Sequence, residues 1–481
     1  MLTPPIAKPP AAESARSIPS ARWAAGALSL SVLLSSLGTS IANVGLPTLA
    51  QAFAAPFQDV QWIVLAYLLA MTTLIVSVGR LGDIVGRRRL LLAGLVLFTA
   101  ASLLCGAAPT LWVLIAARAA QGLGAAAMMA LAMALVGETV PKARTGSAMG
   151  LLGTMSAIGT ALGPSLGGIL IAGFGWRAIF LVSVPLGLLA IVLTQRCCLP
   201  VDRAAAKADR PAFDSVGTLL LALTLAAYAL AMTLGRGTFA SFNVILLLVA
   251  AIGVGFFVRV EARAASPLIQ LAMLRERGLR AGLITSALVA TVMMATLVVG
   301  PFYLARALAL DTTVVGLVMS VGPLVAALSG VPAGRLVDRI GAARMTVAGL
   351  VGVAAGCATL SMLPSAFGIA GYVAPLVVVT ASYALFQAAN NTSVMAEIRP
   401  QQRGVVSGLL NLARNLGLVT GASALAAVFA HAAGTTDIAT APPEAVALGM
   451  RITFVVAAIL IVIALAVAGG GRARLQPAAR S

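Results

Sequence analysis

The sequence predicts an all-α integral membrane protein of fourteen transmembrane helices, built as two six-helix pseudo-symmetric bundles plus an inserted helix pair. Three observations carry this expectation. The 481-residue chain is 60% hydrophobic and only 10% charged, with a mean hydropathy of +1.04, whereas roughly a quarter of the residues of an ordinary soluble domain are charged. The stretch Gly79-Arg-Leu-Gly-Asp83-Ile-Val-Gly86-Arg87-Arg88-Arg89 returns as Gly334-Arg-Leu-Val-Asp338-Arg-Ile-Gly341-Ala-Ala-Arg344 with glycines, aspartate and final arginine in register. Each copy reads as a short charged hinge between two long apolar runs, so the hydrophobic chain is internally duplicated.

Long, uniformly apolar runs without strand alternation leave helices as the spanning element, each needing about 20 residues. The spans fall at 24–46, 58–79, 89–107, 110–137, 145–171, 177–196, 214–234, 240–259, 281–305, 313–334, 342–362, 367–393, 403–430 and 448–470. The repeat sets spans 1–6 opposite spans 9–14 and leaves spans 7 and 8 over. The organisation is therefore a tail at 1–22, a six-helix bundle at 23–196, a linker at 197–213, the inserted pair at 214–259, a second linker at 260–280, a second bundle at 281–470 and a tail at 471–481. The proline-rich start (Pro4, Pro5, Pro9, Pro10, Pro19) reads as disordered, and the first apolar run is too long for a cleavable signal. The second linker, with Pro267 and Arg275-Glu276-Arg277, has room for a short surface helix.

Charge orients the chain. With both termini cytoplasmic, 26 of the 32 Lys and Arg residues lie in cytoplasmic loops and tails; Arg177, Arg236, Arg306 and Arg451 lie on the far side, and Arg118 and Arg414 are intramembrane. The reverse orientation would invert the positive-inside bias. The same distribution excludes nucleic acid as the reason for the net charge of +18, because the basic residues form no stripe interleaved with aromatics. One histidine and four cysteines offer no metal-ligand spacing, and no nucleophile–base pair is visible, so an enzyme is not expected. Cys105 and Cys357 sit in apolar runs as packing residues, and Cys197-Cys198 lie at a cytoplasmic helix end, a reducing setting.

The 79–89 segment matches the G-x-L-[GA]-D-x-x-G-R-[RK] signature of the major facilitator superfamily, and the chain resembles that superfamily's fourteen-helix drug:proton antiporter branch from span 1 to span 14. In this loop Asp83 can cap a neighbouring helix and pair with Arg87 or Arg88, and the resemblance implies a gating clasp made by Gly79, Asp83, Gly86, Arg87 and Arg88 and repeated by Gly334, Asp338, Gly341 and Arg344. Span 4 carries Arg118-Ala-Ala-Gln121-Gly122-Leu-Gly124, similar to the family's R-x-x-Q-G-x-G pattern. An arginine this deep needs a wet cavity or partners; lining the cavity is the preferred reading, and a structural arginine tied to carbonyls the other. Span 5 carries Gly159-Thr-Ala-Leu-Gly163-Pro164-Ser-Leu-Gly167-Gly168, similar to the pattern that marks exporters of this superfamily. The resemblance implies that it helps to seal the cavity and favours efflux.

Two polar stripes stand in the second half. Gln387, Asn390 and Asn391 share one face of span 12, and Asn411 and Arg414, with Asn415, share one face of span 13. Together with Asn43 on span 1, Gln61, Trp62 and Tyr67 on span 2, and Arg118 and Gln121, they form the expected substrate cavity, with interhelical hydrogen bonding as the alternative for the amides. Span 1 also departs from the branch: Gly38 stands where its motif has an aspartate, and no acid falls in mid-span anywhere. The expected function is alternating-access export of small hydrophobic or amphipathic compounds across the inner membrane. The uptake of a metabolite and a transporter-derived sensor are the alternatives. A proton gradient is the expected energy source, no cofactor or metal is needed, and the expected partners are a small-molecule substrate and the bilayer, with the chain as a monomer.

Overall fold

The computed structural model describes residues 18–55, 57–60, 62–140, 144–197, 214–233, 241–264, 267–310, 312–362, 367–399, 402–434 and 441–470. Gln61, most of the 197–213 linker and the 471–481 tail thus lie outside the described residues. Among those described there are fourteen long helices: α1 Ile18–Ala52, α2 Trp62–Val85, α3 Arg87–Ala107, α4 Leu111–Thr139, α5 Thr145–Phe174, α6 Ser183–Cys197, α7 Ser215–Thr233, α8 Ser241–Glu261, α9 Arg277–Phe302, α10 Thr312–Ile340, α11 Ala342–Met362, α12 Gly368–Glu397, α13 Arg403–Ala432 and α14 Pro443–Gly470. A short helix, Phe57–Val60, precedes α2, and another, Ala178–Leu181, precedes α6. The protein is an all-helical, multi-pass membrane protein.

Local chemistry explains the boundaries. Hydroxyls inside the spans bond back to the carbonyl one turn earlier, as Thr73 does to Leu69 (2.7 Å), Thr99 to Leu95 (2.7 Å) and Ser102 to Phe98 (2.7 Å), so they enter an apolar phase already satisfied. Thr110 opens α4 by accepting a hydrogen bond from the Val113 amide. Pro301 sits near the end of α9, and the helix continues as a π-helical turn, Tyr303–Ala307, the usual relief for a residue with no N–H and a ring that collides with the preceding turn.

The duplicated segment corrects one expectation. It is not a loop: α2 runs through Asp83 to Val85 and α10 runs through Asp338 to Ile340, and a single residue breaks each pair of helices. Those residues are Gly86 at φ 107° and Gly341 at φ 100°, values that side-chain-bearing residues rarely adopt. The turn therefore needs glycine at one position, and the charged residues on either side are held on rigid helix.

Packing repeats across the halves. The neighbour pairs α1–α5, α1–α6, α2–α4, α3–α4 and α3–α6 recur as α9–α13, α9–α14, α10–α12, α11–α12 and α11–α14. The halves meet through α2–α13 and its counterpart α5–α10, flanked by α4–α13 and α5–α12. The inserted helices pack on one another, with α7 touching α2 and α13, while α8 turns Phe242, Ile245, Leu248, Ile252 and Phe256 outward, as a lipid-facing helix does. Among the described residues between α8 and α9 there is a 3₁₀ turn, Met273–Arg275. The linker is not merely polar, because Leu268, Ile269 and Met273 are buried in the same apolar cluster as residues of α2 and α4.

Candidate functional site

The two aspartates of the repeated segment each reach across the halves to the start of a helix. At the first, Asp83 Oδ1 accepts from Arg87 Nη2 (2.7 Å) and Nε (2.9 Å) and from the Gly404 amide (3.0 Å), while Oδ2 accepts from the Val405 amide (3.1 Å). Both side chains of that ion pair are almost wholly out of solvent, at 2% and 6% exposed. At the second, Asp338 Oδ1 accepts from the Gly146 amide (2.7 Å), and Oδ2 from the Ser147 amide (2.8 Å) and hydroxyl (2.5 Å). A carboxylate on the free N–H groups of a helix start is favoured by both hydrogen bonding and the helix dipole. Arg87, rather than Arg88, is the partner of Asp83; Arg88 donates to the Gln195 carbonyl at the end of α6. In the second copy Ala342 stands at the Arg87 position, and the Ser147 hydroxyl supplies the additional donor instead.

Glycines let the backbones come this close. A Cβ placed on Gly79 would strike the Gly404 carbonyl, one on Gly334 the Gly146 carbonyl, and one on Gly150 the Gly330 carbonyl. Sequence reasoning missed Gly146, Gly150, Gly330, Gly404 and Gly408, although their four-residue spacing on α5, α10 and α13 is a readable signal for close helix crossing. It also missed two further staples between the halves: Arg403 Nη1 donates to the Gly137 carbonyl (2.6 Å), and the Ser407 hydroxyl to the Ala130 carbonyl (2.5 Å).

The span 4 residues do something other than expected. Arg118 is 0% exposed. Its Nε donates to the Ile63 carbonyl (2.9 Å), Nη2 to the Gly38 carbonyl (3.0 Å) and Nη1 to Gln121 Oε1 (2.5 Å), and its guanidinium lies 4.2 Å from the centre of the Tyr67 ring. Gln121 passes the chain on to Ser102 Oγ at 2.7 Å, and Tyr67 donates to the Ser35 carbonyl at 2.7 Å. The cation is held by carbonyl dipoles, an amide and an aromatic face, with no carboxylate in contact. Arg118, Gln121 and Tyr67 are thus a packed polar knot joining α1, α2, α3 and α4, and line neither cavity described below. The physical reason is enclosure: each of the three guanidinium nitrogens has an acceptor within the same half, and the side chain has no exposed surface. Asn43, exposed and bonded to the Thr39 carbonyl (3.5 Å), and Trp62, half-buried at the start of α2, also fall outside both cavities.

The span 5 motif packs within its own half. A Cβ on Gly159 would meet the Leu33 carbonyl, one on Gly163 the Ser40 side chain and one on Gly167 Ile41, while Gly168 has open space around it. The Ser40 hydroxyl donates to the Gly159 carbonyl at 3.1 Å. These glycines, on the helix that also carries Pro164, bring α5 onto α1.

The main cavity lies mostly against the second half. It measures about 280 Å³ and is lined by α5, α9, α10, α12 and α13. Met149, Met293, Met294, Met319, Leu297 and Leu376 make it largely apolar, Gly150 and Gly330 bring it down to the clasped crossing of α5 and α10, and Tyr383, Gln387 and Arg414 form its polar wall. The same three residues border a crevice of about 10 Å³ reached by Asn390, Asn391 and Asn411, space for a single water. Of the two amide stripes, Gln387 and Arg414 therefore face the cavity, whereas Asn390 donates to the Gly282 carbonyl (3.1 Å) and Asn411 to the Ser407 carbonyl (3.0 Å). Nothing in the sequence pattern marked the methionine wall. No Asp or Glu lines either space, and among the described residues no group of His, Cys, Asp or Glu could hold a metal ion.

The model of the family described as Major Facilitator Superfamily matches residues 28–422. The chain belongs to the major facilitator superfamily. Its superfamily relatives include the uncharacterized transporter YebQ of Escherichia coli (strain K12), 31% identical over 92% of this chain and 93% of that protein. The multidrug resistance protein Stp of Mycobacterium tuberculosis is 32% identical over 84% of this chain and 75% of its own length. The riboflavin transporter RibZ of Clostridioides difficile is 29% identical over 84% and 87%. Among solved structures, the fold resembles the human organic anion transporter MFSD10, with TM-score 0.64 at 15% identity over 93% of this chain and 99% of that one. It also resembles the proton:xylose symporter XylE, with TM-score 0.63 at 15% identity over 92% and 95%. The chain is a superfamily transporter and not an enzyme.

Proposed function

We propose that this superfamily member exports small hydrophobic or amphipathic compounds across the inner membrane, with both termini in the cytoplasm. The two halves exchange access about the methionine-walled cavity. The observation that carries this reading is the position of that cavity directly above the α5–α10 crossing that Asp338 pins, with Asp83 pinning the symmetric α2–α13 crossing. With both clasps engaged the clasped end is shut, and release of the aspartates from the two helix starts opens it. Methionine side chains are long, unbranched and polarisable, and adapt to differently shaped apolar solutes. Relatives named as a multidrug resistance protein and a drug efflux pump support the direction of transport.

The work is driven by a proton gradient in this reading, although no acid lines the cavity; the carboxylates that change partners during the cycle are Asp83 and Asp338. Everted vesicles carrying the overproduced protein should accumulate a fluorescent hydrophobic probe when a pH gradient is imposed, and vesicles without the protein should not. Accumulation that ignores the gradient rejects proton coupling, and none under any condition rejects export. The relative named as a riboflavin transporter keeps one second reading open, a carrier for a single metabolite. A deletion strain with altered susceptibility across many compounds favours export, and a growth defect on one nutrient favours the carrier.

A further inference from the structure

Resting on the export reading, we propose that Arg414 is the anion-recognising point of the cavity, and that the preferred substrates are amphipathic molecules bearing a single carboxylate, sulfonate or phosphate group. Three observations converge on it. Arg414, Gln387 and Tyr383 are the three residues common to the 280 Å³ cavity and the 10 Å³ polar crevice, so the guanidinium stands where the apolar chamber meets the amides. Neither space has an acidic residue in its lining, and the ion pair recorded among the described residues is the distant Arg87–Asp83 clasp. Arg414 Nε is buried without a hydrogen-bond partner, as is Nδ2 of Asn415, the next residue along α13, which lines neither space.

The contrast with Arg118 shows that this is not simply how the protein treats an intramembrane arginine. Arg118 has an acceptor at each of its three nitrogens and a ring beneath it, has no exposed surface and lines neither space. Arg414 retains an unmatched Nε beside a chamber large enough for an aromatic ring system. A guanidinium in low-dielectric surroundings without a counterion is costly. A solute anion arriving there recovers that cost through charge-assisted hydrogen bonds, while its hydrocarbon body fills the methionine and leucine wall. A cationic solute meets the same charge at close range with no carboxylate to offset the repulsion, so the site selects by rejection as well as by attraction.

The test uses the purified full-length transporter in zwitterionic nanodiscs, with empty nanodiscs as the blank, and calorimetric titration with three probes sharing one ring frame: naphthalene-2-sulfonate, the neutral naphthalene-2-sulfonamide and 2-naphthylmethylammonium. The sulfonate is expected to bind at least about tenfold more tightly than the sulfonamide, and the ammonium more weakly than either. Arg414→Gln should bring the sulfonate to the level of the sulfonamide, while Arg414→Lys, which keeps the charge, should retain most of the preference. An unchanged melting profile shows that each variant is folded. Equal binding of sulfonate and sulfonamide, tighter binding of the ammonium, a preference that survives Arg414→Gln, or no binding of any probe each overturns the proposal. Because the readout is binding, a negative result beside intact vesicle efflux removes anion selectivity alone, whereas the loss of all efflux removes the export reading.

Discussion

The two halves spend the same kind of residue in opposite ways. In the first, an arginine in mid-helix is closed in by the Ile63 and Gly38 carbonyls, Gln121 and the Tyr67 ring, and the whole assembly is 0% to 1% exposed at Arg118, Gln121 and Tyr67. In the second, an arginine in mid-helix borders a cavity with its Nε unmatched. The two arginines are not counterparts under the repeat, which sets α4 against α12 and α13 against α5, and the contrast between them is one of surroundings. It comes from whether a helix one layer away presents carbonyl oxygen or methionine to the guanidinium. A buried polar group is structural when its partners are complete and available for recognition when they are not.

Arg118→Met should be the most damaging way to break this contrast. It strands two backbone carbonyls and Gln121 in the centre of the first half, a loss of about 5 kcal/mol. The expected result is little monodisperse protein after detergent extraction. Arg118→Lys should fail to restore it, since one ammonium cannot reach three separated acceptors while lying over a ring. A stable, active Arg118→Met protein would show that the knot is dispensable.

Next in size is the clasp of the first copy. Asp83→Asn removes a buried ion pair and weakens two amide contacts, at about 3 kcal/mol, and should make a cysteine placed at Val405 accessible to a membrane-impermeant thiol reagent from the clasped side. Asp338→Asn loses only neutral-donor contacts to the α5 start, worth about 1.5 kcal/mol; labelling near Ser147 should rise less. Equal effects at both aspartates would mean that Arg87 contributes nothing to the lock. The smallest stability change belongs to Arg414→Met, under about 1 kcal/mol by thermal unfolding, although it should alter which compounds are bound. If it unfolds the protein as Arg118→Met is expected to, the two arginines are alike and the contrast fails.

Much of the fold was legible because a bilayer imposes a simple rule. Runs of about 20 apolar residues must be helices, and the span limits read from hydropathy agree with the helices to within a turn or two. At α2 and α10 the helices continue six residues past the hydropathic span, through charged residues that hydropathy treats as loop. The clasp positions were legible because their chemistry is local: a glycine that turns, an aspartate and, in the first copy, an arginine one turn later. The cavity was not. Met149, Met293, Met294 and Met319 come from α5, α9 and α10, and a methionine facing a chamber cannot be told from one facing lipid by sequence period. Arg118 was misplaced for a related reason. Depth in the membrane indicates that an arginine needs partners, but the partners are backbone carbonyls, which every residue carries and no pattern reveals.

The sequence by itself determined the class, the fourteen helices, the duplication and the places where the chain must turn, because these follow from hydrophobic length and from glycine's access to positive φ at Gly86 and Gly341. Only the tertiary structure decided which polar residues became structure and which became site. That choice depends on oxygen atoms and apolar side chains brought together from helices far apart in the chain, and the energy of a buried charge is set by what lies within hydrogen-bonding distance of it.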